Sequence, residues 1–328
     1  MKIIITGATG SLGAFFTRWF SAKGHQVFAL GRTEFPPSQL QACSTYIRAD
    51  ITKPLVLPDA DVCIHCAGLA DDKANYIDLY AANVEGTKNV VQASRHCQTF
   101  IHISSSSVYL HSDAPLQETM AGEKWGKRLS HYGKSKLLAE EAVMTNANNE
   151  SCFILRPRAI YGAGDKVLLP RLLKLVRGNT MLRPGDMNVK LSLTHFANHA
   201  QAVEDCIHRP KWGKRIYNVS DDEVYVLYDV VKKLLATVHS AELAEKKFPL
   251  WVLQLMSTLG LGDATPLFVK SISKNLVLDI SKIKRELNYS PTMNLDSSLD
   301  EIKHWVSSIG GTGVLKKGDS RLAWTTCE

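Results

Sequence analysis

The sequence lacks an apolar run long enough to cross a bilayer. Its most hydrophobic stretch, residues 248–262, is broken by glycine and is shorter than the ~20 residues that a spanning helix needs. We therefore expect no integral membrane segment. We interpret 248–262 as a helix that covers a pocket, and peripheral membrane contact is the alternative.

A clustered charge and an export signal are also missing. The net charge is +7, but Lys and Arg are scattered rather than gathered into a stripe or tail. This distribution argues against a nucleic-acid partner and favours a basic cleft for an anionic cofactor. Residues 2–6 already read as a strand, which leaves no room for a signal peptide after Met1 and predicts a cytoplasmic protein.

The cysteines show no disulfide or metal framework. Seven cysteines without an export signal predict free thiols. Cys63 and Cys66 form a Cys-x-x-Cys pair, but the apolar run 62–67 reads as a buried strand, and no second Cys/His pair follows at zinc-binding spacing. We interpret both as core residues rather than metal or redox groups, and we predict no metal site.

What the sequence does contain is an alternation of short Ile/Val-rich runs with segments of helical period. The predicted strands are 2–6, 26–30, 45–48, 61–67, 99–105 and 152–156, and the predicted helices between them are 12–23, 76–95 and 131–147. This pattern is typical of βαβ units. It predicts an α/β fold with a Rossmann doubly wound parallel sheet over residues 1–160, to which 187–208 returns.

After Pro157, glycines and prolines interrupt the chain and short helices dominate, at 168–177, 198–208 and 226–237. We predict a smaller, mostly helical C-terminal substrate lobe formed by 161–186 and 209–310. Residues 311–328 carry glycines and charges without periodicity, which predicts a mobile tail.

A glycine-rich turn, Thr-Gly-Ala-Thr-Gly-Ser-Leu-Gly, follows the first strand at 6–13. Gly7 permits a tight turn, Gly10 lets backbone N–H groups approach a pyrophosphate, and Gly13 allows close helix–sheet packing. The helix start adds unpaired N–H donors and the positive end of its dipole. We predict that a nicotinamide dinucleotide binds at Gly7, Thr9, Gly10, Ser11, Leu12 and Gly13.

The second strand ends without the acid that usually holds the adenosine ribose 2′-hydroxyl in NAD enzymes. Arg32 stands there instead, and its guanidinium can pair with a 2′-phosphate. We therefore favour NADP over NAD. In the alternative interpretation, Arg32 is a solvated loop residue.

Tyr132 and Lys136 stand at positions i and i+4 of a predicted helix, so they share one face. A nearby ammonium group lowers the pKa of a phenol from its usual value of about 10. Tyr132 can then exchange a proton with a substrate oxygen while hydride moves to or from the nicotinamide. Upstream, four serines at 104–107 end a strand and face the crevice where parallel sheets bind ligands.

Taken in order and spacing, these motifs resemble the extended short-chain dehydrogenase/reductase superfamily over roughly residues 1–306. The matching segments are TGATGSLG at 6–13, RADI at 48–51, HCAG at 65–68, NVEGTKNV at 83–90, SSSSVY at 104–109, YGKSK at 132–136 and LRPRAIYG at 155–162. The last segment, with Leu-Thr-His-Phe at 193–196, is most similar to the 3β-hydroxysteroid dehydrogenase branch.

The resemblance implies roles by position. Ser105, Tyr132 and Lys136 would be catalytic, and Ser107 would lie closer to the substrate. Asp50 and Ile51 would contact adenine, and Ala67 and Gly68 would line the nicotinamide side. Asn83 would support the strand ends, and Lys136 would also bind the ribose hydroxyls. The backbone after Pro157 would reach the carboxamide. Long helices such as 76–95 and 131–147 often pair in relatives, which implies a homodimer.

The predicted substrate-binding positions are Arg158, Ala159 and Leu191. UDP-sugar epimerases commonly place Asn where this chain has Ala159 and Arg where it has Leu191, although Lys190 is adjacent. Buried phosphates need paired donors, so Ala and Leu suit an apolar alcohol or ketone better.

Three functions follow from these residues. The first is an NAD(P)-dependent oxidoreductase acting on a secondary alcohol or ketone of a largely apolar small molecule, of 3β-hydroxysteroid or 3-keto type. The second is a nucleotide-sugar epimerase, dehydratase or reductase on the same scaffold, and the third is a cofactor-binding protein without catalysis.

Overall fold

The computed structural model describes residues 1–71, 74–122, 129–239, 242–260 and 266–316, together with Leu322 and Trp324. Its strands, in chain order, are β1 Lys2–Thr6, β2 Gln26–Gly31, β3 Thr45–Arg48, β4 Val62–His65, β5 Thr99–Ile103, β6 Ser151–Pro157, β7 Ile160–Tyr161, β8 Val176–Arg177, β9 Thr180–Pro184, β10 Lys190–Leu191, β11 Thr194–His195, β12 Gly213–Val219, β13 Tyr225–Val226 and β14 Ala244–Phe248.

The helices are α1 Ser11–Ala22, α2 Ser38–Cys43, α3 Tyr76–Tyr80, α4 Gly86–Ala93, α5 His131–Asn146, α6 Leu168–Leu173, α7 Phe196–Ile207, α8 Leu227–Val238, α9 Leu250–Thr258, α10 Pro266–Ser273, α11 Ser281–Leu287, α12 Leu295–Ser308 and α13 Thr312–Leu315. A π-helical turn, Ala81–Glu85, joins α3 to α4, and 3₁₀ turns lie at Ser106–Val108 and Glu118–Met120.

A parallel sheet forms the centre of the molecule. Its strand order within the described residues is β12-β6-β5-β4-β1-β2-β3. Alternate side chains of β1 enter different apolar clusters: Ile3 and Ile5 pack with α1 and α7 residues, whereas Ile4 packs with Val90 and Val143 of α4 and α5. Because apolar residues cover both faces, these strands read as continuous apolar runs. The predicted Rossmann fold is confirmed.

The sheet also corrects the sequence interpretation at one edge. The range 213–219 was assigned to the substrate lobe, but β12 pairs in parallel with β6. The first half of this strand is exposed or half-buried and carries Lys214 and Arg215, so it lacks the apolar run on which the other strands were recognised.

A second large apolar cluster lies mainly after residue 160. It brings together α6, α8 and α12, with Trp305 and Leu234 among its buried members. The range 168–177 is not one helix, because α6 ends at Leu173 and β8 follows. Among the described residues, no helix combines the length and hydropathy that crossing a membrane requires.

The interpretation of 311–328 as a mobile tail is wrong for its described residues. Residues 312–315 form α13 with Leu315 buried, and Leu322 and Trp324 are also buried. The ring of Trp324 packs against α1, and the guanidinium carbon of Arg18 lies 5.0 Å from its centre. The remaining residues of this range from 317 onward lie outside the described residues.

Candidate active site

The glycine turn between β1 and α1 has the geometry of an anion cradle. Gly7 has a φ of +70°, and a Cβ on Gly13 would lie 2.3 Å from the carbonyl oxygen of Gly7. Both positions therefore require glycine. Ser11 begins α1, and its buried hydroxyl has no hydrogen-bond partner among the described residues. An orphaned hydroxyl beside free helix N–H groups fits the diphosphate of a dinucleotide.

Lys166 adds a cation that the sequence analysis missed. Its Nζ donates to the carbonyl oxygen of Thr9 at 3.5 Å. The positive charge therefore lies beside the glycine turn, although the two residues are far apart in the chain. Nothing in the local sequence around Lys166 signals this contact.

Arg32 follows β2 and Asp50 follows β3, and the two lie within electrostatic range of each other. Asp50 Oδ1 accepts hydrogen bonds from the backbone N–H and hydroxyl of Thr52, at 3.0 and 2.9 Å. These bonds lower the pKa of Asp50, and the charge of exposed Arg32 lowers it further. Ile51 is buried, and its carbonyl oxygen accepts from the Asn89 side chain at 2.8 Å.

The first turn of α5 is set by a cap and a close contact. Ser130 Oγ accepts from the backbone N–H of Gly133 at 3.0 Å, which begins the helix immediately before Tyr132. A Cβ on Gly133 would lie 2.2 Å from the carbonyl oxygen of Ser107. Glycine at this position therefore lets the Tyr132 turn approach the serine segment.

Tyr132 and Lys136 line one cavity with residues from the glycine turn and from the loop after β4. Its walls are formed by Leu12, Cys66, Gly68, Leu69, Ala70, Asn83, Ile103, Ser104, Tyr132, Lys136 and Ile160. Five predicted site residues thus come together: Leu12, Gly68, Asn83, Tyr132 and Lys136. Leu69, Ala70 and Ile160 were missed, because single apolar residues in loops carry no distinctive signal.

The serine segment contributes differently from the prediction. Ser104, not Ser105, belongs to the cavity wall, and its hydroxyl donates to Glu140. Ser105 Oγ caps the following 3₁₀ turn by accepting from the backbone N–H of Ser107 at 3.1 Å, and it donates to Ser107 Oγ at 3.1 Å. The two predicted serines are therefore hydrogen-bonded to each other.

Four other predicted residues lie outside the cavity wall. The backbone N–H of Ala67 donates to Thr6 Oγ1 at 3.1 Å, and Pro157 ends β6. Ala159 has a φ of +44°, and buried Leu191 pairs with Tyr225. In the described part of the chain, neither these four nor Arg158 belongs to the cavity wall.

Lys136 is the buried cation of the site. It is 5 % exposed, and its Nζ donates to the carbonyl oxygen of Ile103 at 2.7 Å. Burial lowers its pKa to about 8, although Glu140 on the same helix acts in the opposite direction. At neutral pH the ammonium form still predominates, so a positive charge is present beneath Tyr132.

Asn83 connects the loop after β4 to α5. Its side chain accepts from the N–H of Leu69 at 2.7 Å and donates to the carbonyl oxygen of Leu69 at 3.0 Å and to Ser135 Oγ at 2.9 Å. The residue lies in the π-helical turn, and such turns are frequent at functional sites. Asn83 thus joins two walls of the cavity.

A buried ion pair fixes α5 against the sheet. Arg156 donates to both carboxylate oxygens of Glu140, at 2.8 and 2.6 Å, and both side chains are almost fully buried. Arg156 also donates to Tyr109 Oη at 2.8 Å, which in turn donates to Asn218 at 2.6 Å. The only sequence feature that could have indicated Glu140 is its position four residues after Lys136, on the same face of the helix.

The cysteine pair lies next to the site. Cys63 is fully buried in β4, whereas half-buried Cys66 belongs to the cavity wall. Burial strongly raises the pKa of both thiols. The described residues include no group of three or more His, Cys, Asp or Glu side chains placed to hold a metal ion.

Fold and site together define the extended short-chain dehydrogenase/reductase class of NAD-dependent enzymes. The family model of the NAD dependent epimerase/dehydratase family matches residues 3–220. The chain belongs to this family, and its prediction as an NAD(P)-dependent enzyme of the extended type is confirmed.

Curated relatives cover nearly the whole chain. The chain is 27 % identical to 2-alkyl-3-oxoalkanoate reductase of Stenotrophomonas maltophilia, over 92 % of this chain and 98 % of the relative. It is 22 % identical to 3-beta-hydroxysteroid dehydrogenase of Mycolicibacterium neoaurum, over 98 % of this chain and 96 % of the relative. It is 27 % identical to UDP-glucose 4-epimerase of Vibrio cholerae, over 92 % of this chain and 94 % of the relative.

A solved structure with the same fold is MoeE5 in complex with UDP-glucuronic acid and NAD. It has a TM-score of 0.75 and 20 % identity, and the match covers 94 % of this chain and 99 % of that chain. At this identity the likeness shows the fold.

Proposed function

We propose that this protein is an oxidoreductase that transfers hydride between a nicotinamide cofactor and a secondary alcohol or ketone of a largely apolar substrate. The observation that carries the proposal is the shared cavity: Tyr132 and Lys136 face the same space as Leu12, at the start of the dinucleotide-binding helix. When bound, the nicotinamide supplies or accepts the hydride.

Tyr132 exchanges the proton with the substrate oxygen, and the Lys136 ammonium favours the phenolate form. In this proposal the Ser105 hydroxyl turns from its present acceptor, Ser107 Oγ, and donates a hydrogen bond to the same substrate oxygen. Ser107 contacts the substrate beside it. The glycine turn with Ser11 holds the diphosphate, Asp50 and Ile51 flank adenine, and Ala67 and the backbone after Pro157 flank the nicotinamide.

The apolar substrate class is supported by the cavity wall, where Leu69, Ala70 and Ile160 supply aliphatic surface. Ala159 and Leu191 offer no charged donor for a diphosphate. The names of two relatives, 2-alkyl-3-oxoalkanoate reductase and 3-beta-hydroxysteroid dehydrogenase, describe a ketone and a secondary alcohol on apolar molecules.

A nucleotide-sugar reaction is the second candidate. It is supported by the likeness to UDP-glucose 4-epimerase, at the same identity as the reductase. An epimerase returns its cofactor to the starting state. Inversion of a sugar centre without net change in NADPH absorbance would therefore support this candidate.

We also propose NADP as the cofactor, bound through its 2′-phosphate by Arg32. The guanidinium is exposed, and its charge acts on Asp50, whose pKa is lowered first by the hydrogen bonds from Thr52 and further by Arg32. The end of β2 carries Arg32 where NAD enzymes usually place the acid that holds the ribose 2′-hydroxyl.

The proposal is tested with Tyr132→Phe, which removes the transferable proton and leaves the ring. A screen of steroids, 3-oxo and 3-hydroxy acids and nucleotide sugars with both cofactors identifies a substrate. We expect kcat to fall by roughly 10²- to 10⁴-fold, while the dissociation constant for NADPH stays near the wild-type value.

Tyr228→Phe is the matched control, because its hydroxyl donates to Glu245 and lies outside the cavity wall that the described residues form. Wild-type turnover is expected of this variant. If Tyr132→Phe retained most of its turnover, the assigned chemistry would be wrong.

A further inference from the structure

Arg158 is a half-buried residue whose positive charge the chain itself does not neutralise. It follows Pro157 at the carboxyl end of β6, and its Nε is buried. Within the described residues, no hydrogen bond or ion pair reaches its guanidinium group. Arg156, two residues earlier, is by contrast fully paired with Glu140. Burying an unpaired charge is unfavourable unless a ligand supplies the partner.

A second unpaired polar group lies within electrostatic range of Arg158. The Nε2 atom of His111 is buried without a partner among the described residues. Burial lowers the pKa of His111 to about 4, and the nearby charges of Arg158, Lys274 and Lys270 lower it further. Burial likewise lowers the pKa of Arg158 to about 10, with Arg171 as the other contributor. Cations therefore dominate the field at this point.

The backbone holds Arg158 next to the proposed reaction site. Its N–H donates to Thr194 Oγ1 at 3.1 Å, and its carbonyl oxygen accepts from the same hydroxyl at 2.9 Å. Ala159 follows in the left-handed region, which is unfavourable for residues other than glycine. Ile160, one residue further, is part of the cavity wall with Tyr132.

We propose that Arg158 and His111 bind a carboxylate group of the substrate whose alcohol or ketone carbon reacts at Tyr132. This inference rests on the proposed function and specifies its substrate class as apolar hydroxy or oxo acids. One guanidinium and one imidazole N–H match the two oxygens of a single carboxylate. A diphosphate has more acceptor oxygens than the two unpartnered donors, Arg158 and His111, can satisfy.

The kinetic test compares an acid with its uncharged ester. The probes are 3-hydroxydecanoate and methyl 3-hydroxydecanoate, each oxidised with NADP⁺ by wild type, Arg158→Met, Arg158→Lys and the control Arg177→Met. Arg177 is exposed on β8, so its replacement removes the same charge from the surface. We expect Arg158→Met to lower kcat/KM for the acid by roughly 10- to 100-fold and to leave that for the ester nearly unchanged.

Arg158→Lys is expected to recover part of the preference for the acid, because it restores the charge without the planar fork. Arg177→Met is expected to behave as wild type. An equal loss on acid and ester in Arg158→Met, or no preference for the acid in wild type, would overturn the carboxylate assignment while leaving the oxidoreductase proposal intact.

A binding test gives a readout that does not need turnover. Calorimetry measures decanoate, decan-1-ol and UDP on wild type and Arg158→Met loaded with NADPH. We expect decanoate binding to weaken by roughly 10-fold or more in the variant, with decan-1-ol unaffected. If decanoate binds through Arg158 but neither probe is oxidised, the proposed function fails and the carboxylate site stands. Absence of decanoate binding, or UDP binding that depends on Arg158, overturns the inference.

Thermal unfolding of the unliganded protein separates binding from a structural role. Replacing a half-buried, unpaired charge with an apolar side chain of similar length should leave the midpoint unchanged or raise it. A marked fall in the midpoint of Arg158→Met would show that the guanidinium stabilises the fold itself, and would contradict the proposal.

Discussion

Arg32 is the residue on which the choice of cofactor depends. Its guanidinium is exposed at the end of β2, and no carboxylate of the described residues forms an ion pair with it. We predict that Arg32→Ala raises KM for NADPH by roughly 10- to 100-fold, because a charge-assisted hydrogen bond to a phosphate is lost. KM for NADH should change little.

Steady-state kinetics with both cofactors measures this change. Arg95→Ala is the control, since Arg95 is an exposed residue just after α4, before the start of β5 rather than at the carboxyl ends of the strands. A wild-type preference for NADH, or equal losses with both cofactors in Arg32→Ala, would contradict the assignment of NADP.

Motif spacing could predict the residues whose roles depend on local structure. Gly7 and Gly13 follow from the turn, and Tyr132 with Lys136 follows from helical spacing. Glu140 and Arg156 could not be paired from the sequence, because their contact joins α5 to β6 across the sheet. The orphaned groups of Ser11, Arg158 and His111 could not be predicted either, since a missing partner is visible only when the surroundings are known.

At the scale of elements, the Glu140–Arg156 pair determines where α5 lies. Glu140 is one turn after Lys136 on α5, and it also accepts from Ser104 at the end of β5. We predict that Glu140→Gln lowers the free energy of unfolding by about 3–5 kcal/mol, because the Arg156 guanidinium is left without a counter-charge. Chemical denaturation measures this change.

The double variant Glu140→Gln with Arg156→Met is the internal control. It removes both charges, so its loss should be smaller than the sum of the two single losses. Additive losses would show that the two side chains stabilise the fold independently and would contradict the role assigned to the pair.

The six strands of the first half were predicted from short runs rich in Ile and Val, and a strand is present at each of the six, although β4 and β5 are shorter than predicted. β12 was missed because its first residues, Gly213 to Arg215, are polar and solvent-facing at the sheet edge. The helix predicted over 76–95 is interrupted by the π-helical turn, which a periodicity of 3.6 residues does not reveal.

The substrate lobe was less predictable. Of residues 248–262, α9 covers Leu250–Thr258, and only Leu253 is buried in it. Trp251, Leu255 and Leu259 are half exposed or more. The pocket-covering role and peripheral membrane contact both stay predictions, as do the lobe boundaries and the homodimer. Residues 261 and 262 lie outside the described residues.

For the molecule as a whole, three buried histidines link stability to pH. His65 of β4, His102 of β5 and His199 of α7 are fully buried. Burial lowers the pKa of His65 and His199 to about 3 and that of His102 well below its ordinary value. The charge of Lys136 lowers the pKa of His65 and His102 further. All three are therefore neutral in the folded protein at neutral pH.

The sign of the pH effect follows from these shifts. In the unfolded chain a histidine has a pKa of about 6.5, so between that value and about 3 the unfolded state binds more protons than the folded state. The free energy of unfolding must then fall as pH falls through this window. Each histidine contributes up to about 1.4 kcal/mol per pH unit.

We predict that His199→Leu makes the decline in unfolding free energy between pH 6 and 4 shallower by about 1.4 kcal/mol per pH unit. Its two ring nitrogens have no partners among the described residues, and its ring packs against Phe16 at 5.3 Å, so leucine removes the titrating group at little cost in packing. Urea denaturation at a series of pH values measures the slope. His304→Leu, at an exposed position of α12, should keep the wild-type slope. A neutral imidazole buried in the fold must gain its proton when the chain unfolds at acid pH, so removing it must change the slope. A slope in His199→Leu equal to that of wild type would therefore show that other groups cause the acid unfolding.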